Sequence, residues 1–386
     1  MKTAVAVLWK CVVLLFVTFA LIGIKSQPAG AASGNSGKDL LDKLIANAKA
    51  EGTLNANLRP GLGPVIPDLA NAFKKRFGLD IDVNLDALTT ENELFAKIRA
   101  ALQAGAPPSV DMLGGPDTRH IEMIEQGLAT RVDNWDALLA AVNPLVASGK
   151  VKPEVVSPSP LTGYSFIWAT VTKALLYNPK LIAKADLPRT RADLADAKYK
   201  GKLATAPWVD AWQYGVLYYP KDKWLEIADR VGKNAAAVLY YAASTERILL
   251  GELALADSNE YYYWQAKMKD PAAPIGVHWF SDYTSVGTVV NMLPKGSRHP
   301  AAATLFALWM TTAEAETILQ RAVPYPNLVF GQSPISREIR AAVKGSGSPT
   351  VTWYDNAKTL ETYKWYGTKE GRQYYGKLVR ALTQRR

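Results

Sequence analysis

The amino-acid sequence predicts an α/β protein with two domains, in which parallel strands are joined by crossover helices. Strand-like and helix-like segments alternate from residue 39 to residue 127, and strands that alternate with helices in this way form parallel sheets. At roughly 100–200 residues per domain, the 386 residues would form two domains. With 48% hydrophobic and 21% charged residues, the composition is that of an ordinary globular protein.

The first 31 residues differ from the rest of the chain and predict a secretory signal. Lys2 and Lys10 precede an apolar run over 11–24, and small residues that end at Ala31 form a cleavage pattern. The run is shorter than the ~20 residues of a usual membrane span, although Lys25 flanks it and an uncleaved anchor is the alternative. We expect an exported, periplasmic protein that is cleaved near Ala31. The only cysteine would be removed with the signal, which excludes a disulfide framework and a thiol nucleophile.

In the first part of the chain, helices and strands are predicted from apolar periodicity and from the glycines that end helices. The predicted order is a helix from Leu40 to Gly52, a strand over 53–58, a helix from Leu69 to Gly78, a strand over 81–85, a helix from Leu94 to Gly105, a strand over 109–113 and a helix that ends at Gly127.

The loops that follow these strands are expected to gather at one edge of the sheet. Helix N-termini at such an edge offer free N–H groups to an anionic or polar ligand. The loops contribute five candidate ligand residues, namely Arg59, Thr89, Thr90, Gly114 and Gly115. N-capping of the next helix is the alternative role of the two threonines.

The second part of the chain is predicted to form another α/β unit, followed by a basic and aromatic tail. Its elements are apolar segments over 164–168 and 174–179, a helix start at 190–193, a strand over 201–205 that leads into Trp208, a long helix beyond Pro220, a short helix over 248–250, a strand over 286–292 and a helix that begins at Pro300.

The tail accounts for much of the formal net charge of +10, because residues 351–386 contain eight lysines and arginines against three acidic residues. Its many aromatic residues predict that it packs on the body of the protein instead of extending into solvent. The basic excess indicates a solvated helix face, with a membrane surface or an acidic partner as the alternative. No nucleic-acid partner is expected.

The stretch from Gly251 to Trp264 contains the clearest candidate for a ligand site. A polar run that ends at Glu260 is followed directly by Tyr261, Tyr262 and a third tyrosine. Neighbouring side chains point to opposite faces of a strand and do not face each other on a helix, so two adjacent phenols converge only where a strand ends or a helix begins. Ligand sites of open α/β sheets lie at such positions. An aromatic strand edge packed into a core is the alternative.

Motifs of catalysis and of nucleotide or zinc binding are absent from the sequence. It contains no nucleophile elbow, Walker loop, dinucleotide fingerprint or paired zinc-ligand motif. The three histidines, His120, His278 and His299, are far apart in the sequence, and each is expected to be a structural or surface histidine and not a ligand. The sequence therefore gives no positive support for an enzyme.

Five stretches occur in a fixed order along the chain. They are Ala50–Gly52, Phe73–Gly78, Leu175–Leu181 together with Leu194–Gly201, Gly251–Glu252 before the tyrosines, and Gly296–Ala302 before a helix. Together they resemble segments of the extracellular solute-binding proteins of ABC importers, in the group that includes the ferric-iron binders. The resemblance extends from about residue 39 to about residue 342 and does not cover the tail.

The resemblance implies a type II periplasmic-binding-protein fold, with two α/β lobes joined by two hinge crossings. The N-lobe would combine residues 32–171 and 288–340, the C-lobe would take residues 172–287, and the tail would begin at residue 341. The implied function is capture of a small ligand between the lobes and its delivery to an ABC permease in the inner membrane, by a monomer without catalytic activity. A ligand-presenting sensory protein and a secreted enzyme on the same fold are the alternatives.

The resemblance leaves two ligand classes open. In the ferric-iron group two adjacent tyrosines supply phenolate ligands, and by position these match Tyr261 and Tyr262, so Fe³⁺ would be a transported ligand and not a resident cofactor. Residues 207–209 replace the small-residue anion-binding turn of that group, and glycines stand in the N-lobe loops where it often has a histidine or a carboxylate. These departures favour a small organic solute instead. The candidate contacts in the C-lobe are Thr205, Trp208, Glu260, Tyr261, Tyr262 and Asp282.

Overall fold

The structure, a computed structural model, describes residues 34–89 and 91–384. The predicted signal segment and Thr90 lie outside the described residues. The strands are β1 (Thr53–Asn57), β2 (Asp82–Asp86), β3 (Met112–Pro116), β4 (Ala129–Thr130), β5 (Ser165–Tyr177), β6 (Leu203–Thr205), β7 (Ala235–Val238), β8 (Leu255–Asn259), β9 (Gly276–His278), β10 (Thr284–Pro294) and β11 (Thr350–Val351). The helices are α1 (Gly34–Glu51), α2 (Ile66–Phe77), α3 (Glu91–Gln103), α4 (Asp117–Glu125), α5 (Trp135–Val142), α6 (Pro144–Ala147), α7 (Pro153–Val156), α8 (Lys221–Asn234), α9 (Tyr241–Leu249), α10 (Tyr261–Lys269), α11 (Pro300–Trp309), α12 (Ala313–Leu319), α13 (Pro334–Gly345), α14 (Ala357–Tyr366) and α15 (Lys369–Thr383).

Two long antiparallel strands, β5 and β10, lie at the centre of one sheet whose main path is β2-β1-β3-β10-β5-β8-β6-β7. On one side β1 pairs in parallel with β2 and β3, and on the other side β6 pairs in parallel with β7 and β8. β5 pairs with β10 as far as Thr172 and with β8 from Lys173 onward. The chain therefore passes from one group of parallel strands to the other between Thr172 and Lys173, and we call this point the crossing.

Most of the predicted elements are present, and several of them end where the sequence signals predict. α2 buries three apolar side chains on one face and ends at Gly78, which adopts the left-handed conformation (φ 60°) that favours glycine. The helix start predicted at 190–193 is a short 3-10 helix, capped by Thr190, whose hydroxyl accepts a hydrogen bond from the backbone N–H of Asp193. α9 begins at Tyr241, earlier than the predicted 248–250.

The third strand begins later than the sequence predicts, over Met112–Pro116 instead of 109–113. Gly114 and Gly115 therefore lie inside a strand and not in the loop after it. Close packing explains Gly115, because a Cβ atom at this position would lie 2.9 Å from the ring of Phe95. The prediction took two glycines as a turn signal where the fold uses them for a close approach.

The two largest hydrophobic cores lie on the two groups of parallel strands. In the larger core α11 packs against α1, β1 and β10, and every residue from Ala301 to Trp309 is buried. A helix that is apolar on all sides belongs in the interior of a domain. The second core packs α8 and α15 over β6 and β8, around the fully buried Trp224.

The tail contacts both groups of strands. β11 pairs with the start of β10, and Trp353 stacks on Tyr214 with 3.9 Å between ring centroids. The hydroxyl of Tyr363 donates to the backbone oxygen of Thr118 in α4 (3.0 Å), whereas α15 lies against α8 and buries Leu378 completely. The tail therefore packs on the body and joins its two sides.

Leu378→Ala is expected to lower the free energy of unfolding by about 2–5 kcal/mol, because it leaves a cavity between α15 and α8. Urea unfolding followed by tryptophan fluorescence measures the change. Gln373→Ala, on the exposed face of the same helix, is the matched control and should change the free energy by less than about 0.5 kcal/mol. Equal unfolding midpoints for Leu378→Ala and the wild type would show that the tail does not stabilise the body.

Candidate functional site

The carboxyl ends of β6, β7 and β8 lie at one edge of the sheet, because these strands run parallel to one another. The chain segments that leave this edge contain Trp208, Tyr240 and Tyr261. Lys173 of β5 pairs with Asn259, the last residue of β8, so Lys173 lies at the same edge.

The carboxyl ends of β1, β2 and β3 meet this edge at the crossing. β5 and β3 are both antiparallel to β10, so β5 leaves the first group of strands in the direction in which β1, β2 and β3 end. Arg59 follows the end of β1 and Thr89 follows the end of β2. Open α/β proteins bind ligands in crevices outside the carboxyl ends of their strands, which makes this region the candidate site.

Tyr261 and Tyr262 are the first two residues of α10, almost directly after β8. Their two rings lie 4.3 Å apart between centroids. Tyr325 packs against Tyr261 at 4.8 Å, and the guanidinium of Arg59 lies 5.3 Å from the centroid of the Tyr325 ring. Three separate segments of the chain therefore meet in a group that we call the tyrosine cluster (Arg59, Tyr261, Tyr262 and Tyr325).

Tyr261 is a neutral phenol at physiological pH in this arrangement. Its side chain is only 8% exposed, and burial raises its pKa well above the ordinary value of 10.0. The nearby phenols of Tyr325 and Tyr262 raise the pKa further, whereas the charge of Arg59 lowers it. A cation at this site would have to displace the phenol proton, which the charge of a bound metal ion can do.

Glu260 connects the start of α10 to the crossing. Its backbone N–H donates to the carbonyl oxygen of Thr172 (3.1 Å), and its Oε2 accepts from the backbone N–H of Thr172 (2.7 Å). The carboxyl group is fully buried, and burial raises its pKa to about 8 although the hydrogen bonds with Thr172 oppose the shift. Its Oε1 has no hydrogen-bond partner within the described part of the chain. Glu260 therefore fixes the two tyrosines relative to the crossing strand.

A second group of aromatic residues lies beside Lys173. Trp208 makes edge contacts with Tyr240 and Tyr241, each with 5.0 Å between ring centroids. Lys173 donates hydrogen bonds to the carboxylate of Asp210 (3.0 Å) and to the hydroxyl of Tyr241 (3.3 Å). We call these five residues the lysine cluster.

The sequence interpretation missed Tyr325 and Lys173. Tyr325 stands between two prolines in a segment without periodicity, and only the tertiary fold brings it to Tyr261. Lys173 had a usable signal, because it is the only charged residue among the 13 residues of β5. A charged side chain inside a buried strand needs an opposite charge or a hydrogen-bond partner, so its presence there predicts a polar site nearby.

The polar side chains of two predicted ligand contacts, Thr205 and Asp282, form hydrogen bonds within the protein itself. Thr205 is 3% exposed, and its hydroxyl donates to the backbone oxygen of Leu382 in the tail (3.0 Å). The carboxylate of Asp282 accepts from the backbone N–H of Arg191 (3.1 Å) and from the hydroxyl of Tyr219 (2.9 Å). Ligand contact by Thr205 or Asp282 stays a prediction that these hydrogen bonds do not favour.

The predicted contacts beside β2 and β3 also have local roles. Thr89 is half-buried in the loop after β2, where its N–H donates to Oδ1 of Asp86 (3.3 Å). A Cβ atom on Gly114 would lie 3.0 Å from the backbone oxygen of Asn57, so strand packing favours glycine there as it does at Gly115. Neither glycine belongs to the tyrosine cluster.

Potential metal ligands of the usual kinds do not gather in the structure. Within residues 34–89 and 91–384, no three histidine, cysteine or acidic side chains lie close enough together to hold a metal ion. The oxygen groups of the tyrosine cluster are phenols. Over the same residues, no helix is both long and apolar enough to cross a membrane.

Comparison with known protein families shows where this architecture belongs. Residues 68–328 match the family of bacterial extracellular solute-binding proteins. The chain belongs to this family. The binding protein is thus a bacterial extracellular solute-binding protein, whose ligand is a solute. A comparison with curated proteins found no match.

Solved structures confirm the predicted fold of the binding protein. Iron-bound HitA from Pseudomonas aeruginosa has a TM-score of 0.61 at 20% identity, over 82% of this chain and 99% of that chain. IdiA (FutA) from Trichodesmium, in complex with iron and citrate, has a TM-score of 0.63 at 17% identity, over 86% and 100%. AgtB from A. tumefaciens R10, in complex with agropinic acid, has a TM-score of 0.59 at 15% identity, over 86% and 99%. The predicted two-lobed periplasmic-binding fold is therefore confirmed, and at these identities the likeness shows the fold alone.

His120 lies fully buried beneath the strand that contains Gly115. Its Nδ1 lies 3.0 Å from the hydroxyl of Ser165, and burial lowers its pKa from 6.5 to about 3. The folded protein therefore holds this histidine neutral. The unfolded chain takes up a proton below about pH 6.5, where the ordinary pKa of histidine lies, and the folded protein does not.

The free energy of unfolding is expected to be at its full value above pH 6.5 and to fall by up to about 1.4 kcal/mol per pH unit as the pH decreases toward 3. His120→Gln should remove this part of the pH dependence. Urea unfolding between pH 7.5 and pH 4.5 measures it for both proteins. Both keep His278 and His299, so the difference between the two curves isolates His120. Parallel curves would contradict a neutral, buried His120.

Proposed function

We propose that the binding protein captures its solute between an N-lobe (32–171 and 288–340) and a C-lobe (172–287). The change of partner of β5 after Thr172 supports the first boundary, and the second boundary falls within β10 (Thr284–Pro294), which pairs with the same part of β5. The two largest hydrophobic cores, each of which takes most of its residues from one group of strands, also support a division into lobes. Closure needs only a ligand that binds the closed form more tightly than the open form.

The tyrosine cluster is the proposed ligand site, because residues from both proposed lobes meet there. Arg59 and Tyr325 come from the proposed N-lobe, whereas Tyr261 and Tyr262 come from the proposed C-lobe. The ring of Tyr261 joins the two pairs, because its centroid lies 4.8 Å from that of Tyr325 and 4.3 Å from that of Tyr262. A ligand that contacts both pairs would stabilise the closed form. Glu260, at the crossing, would hold α10 in place during that movement.

A small organic solute is the proposed ligand. The rings of the tyrosine cluster and of the lysine cluster offer stacking surfaces at one edge, and most of a typical ligand pocket consists of such apolar and aromatic groups. The protonated phenol of Tyr261 suits a hydrogen bond to a polar group of an organic molecule. AgtB, which shares the fold, was solved with an organic acid.

Ferric iron is the second candidate ligand, because two phenols converge at the start of α10. A hard trivalent cation prefers charged oxygen ligands and would bind the two phenols as phenolates. HitA was solved with iron, and IdiA with iron and citrate. In this case Arg59 would help to hold a small anion that completes the coordination.

A titration with ferric citrate is expected to separate the two candidates. If iron is the ligand, a tyrosinate-to-iron charge-transfer band appears in the visible spectrum, and Tyr262→Phe removes it. Tyr263→Phe, the next residue along α10, is the matched control and should leave the band intact. If an organic solute is the ligand, the protein stays colourless and its melting temperature does not change when ferric citrate is added.

The organic ligand is then sought by thermal-shift screening, because a ligand that binds only the folded protein raises its melting temperature. Tyr262→Phe should reduce the shift that the identified solute causes, since it removes one phenol hydroxyl from the tyrosine cluster. A solute that raises the melting temperatures of the wild type and of Tyr262→Phe equally would contradict the assignment of the site.

The proposal includes export by the signal segment, with cleavage near Ala31, and action as a monomer without catalytic activity. The sequence pattern of residues 1–31 supports the export step. Membership in a family of binding proteins supports the absence of catalysis. Uptake of the identified solute by cells that express the chain with its permease would separate transport from a sensory role.

A further inference from the structure

Lys173 occupies an unusual place in the protein. It is the only charged residue of β5, it is the first residue of β5 that pairs with β8, and its side chain is 11% exposed. Its partner in the sheet, Asn259, lies two positions before Tyr261. The ammonium group therefore lies at the edge where the tyrosine cluster begins.

The counter-ion of Lys173 is easily replaced. Asp210 accepts a hydrogen bond from Nζ at 3.0 Å. The side chain of Asp210 is 52% exposed, and the residue lies in the irregular segment after β6. Ion pairs with an exposed partner contribute little to stability, because water competes for both charges. Nζ also donates to the hydroxyl of Tyr241 at 3.3 Å and lies 4.7 Å from the centroid of the Tyr241 ring, and burial raises the pKa of Glu260 whereas the charge of Nζ lowers it. A ligand carboxylate that replaces Asp210 would leave the hydrogen bond between Nζ and the hydroxyl of Tyr241 intact.

An aromatic wall stands beside this ammonium group. Tyr240 is 66% exposed, and Trp208 is half-buried with its ring centroid 5.0 Å from that of Tyr240. Trp208 also packs against the buried Tyr241, which contacts Lys173. Tyr241 therefore holds both the aromatic pair and the ammonium group in place. Exposed aromatic faces next to a charge match a ligand that is flat at one end and ionised at the other.

We infer that Lys173, Trp208 and Tyr240 form a subsite for a planar organic carboxylate, whose carboxylate pairs with Lys173 in place of Asp210 and whose ring packs in the angle between the rings of Trp208 and Tyr240, which are inclined at 62° to each other. This inference rests on the proposed function, since it names the chemical class of the solute that the cleft admits. The lysine selects for a negative charge, and the two rings select for a flat body. Asp210 acts as the counter-ion when no solute is present.

Fluorine NMR on protein that contains 5-fluorotryptophan tests the subsite with two matched probes. Benzoate and benzamide have the same ring, but only benzoate has a negative charge. The Trp208 signal is assigned by its loss in Trp208→Phe. Benzoate is expected to shift this signal at millimolar concentrations and to bind at least about tenfold more tightly than benzamide, because a charge-assisted hydrogen bond to Lys173 is available only to benzoate.

Two variants of the lysine cluster should change this preference in opposite directions. Lys173→Gln is expected to bring the affinity for benzoate down to that for benzamide. Asp210→Asn removes the competing carboxylate and is expected to tighten benzoate binding about threefold. Lys198→Gln is the matched control, because Lys198 also lies over a tyrosine ring, at 4.9 Å from that of Tyr199, but it is fully exposed and outside the lysine cluster.

Three results would overturn the inference: no shift of the Trp208 signal with benzoate, equal affinities for the two probes in the wild type, or an unchanged preference in Lys173→Gln. Failure of the subsite and failure of the proposed function are distinct. If Lys173→Gln changes nothing while Tyr262→Phe still weakens solute binding, the subsite is wrong and capture at the tyrosine cluster stands. If Lys173→Gln removes the preference while Tyr262→Phe has no effect, the subsite stands and the tyrosine cluster is not the site.

Discussion

The transfer of β5 from β10 to β8 is the constraint on which the rest of the structure depends. A strand that changes partners must find hydrogen bonds for its backbone at the point of change, because buried N–H and C=O groups are rarely left unpaired. Here both backbone groups of Thr172 bond to Glu260, the residue directly before the two tyrosines. Glu260, which forms the hydrogen bonds that Thr172 needs at the crossing, also precedes the first residue of α10. The same residue therefore positions both the sheet at the crossing and the candidate site.

Local signals in the sequence predicted much of the fold. The end of α2 at Gly78 and the capped turn at Thr190 depend on the backbone chemistry of a few neighbouring residues, and both are present. The same kind of signal was wrong at Gly114 and Gly115, because a pair of glycines fits a turn as well as a crowded strand. The positions of Asn57 beside Gly114 and of Phe95 beside Gly115, both distant in the sequence, decide between the two.

The candidate site was partly predictable for the same reason. Tyr261 and Tyr262 converge because a helix begins there, which is a local property. Tyr325 comes from a loop far along the chain, and no periodicity links it to the pair. The hydrogen bond from the hydroxyl of Thr205 to the backbone oxygen of Leu382 was equally hard to predict, because the path of the tail over β6 has no local sequence signal.

The end of the tail bears directly on how the protein is handled in the laboratory. Because the backbone oxygen of Leu382 holds the hydroxyl of Thr205 at the end of β6, the last turn of α15 is part of the interior and not a free terminus. An affinity tag or a surface linker attached immediately after Gln384 would lie two residues from this contact, near the strand edge that leads to Trp208. A dye or a force probe placed on α15 would, for the same reason, report mechanical events at that edge.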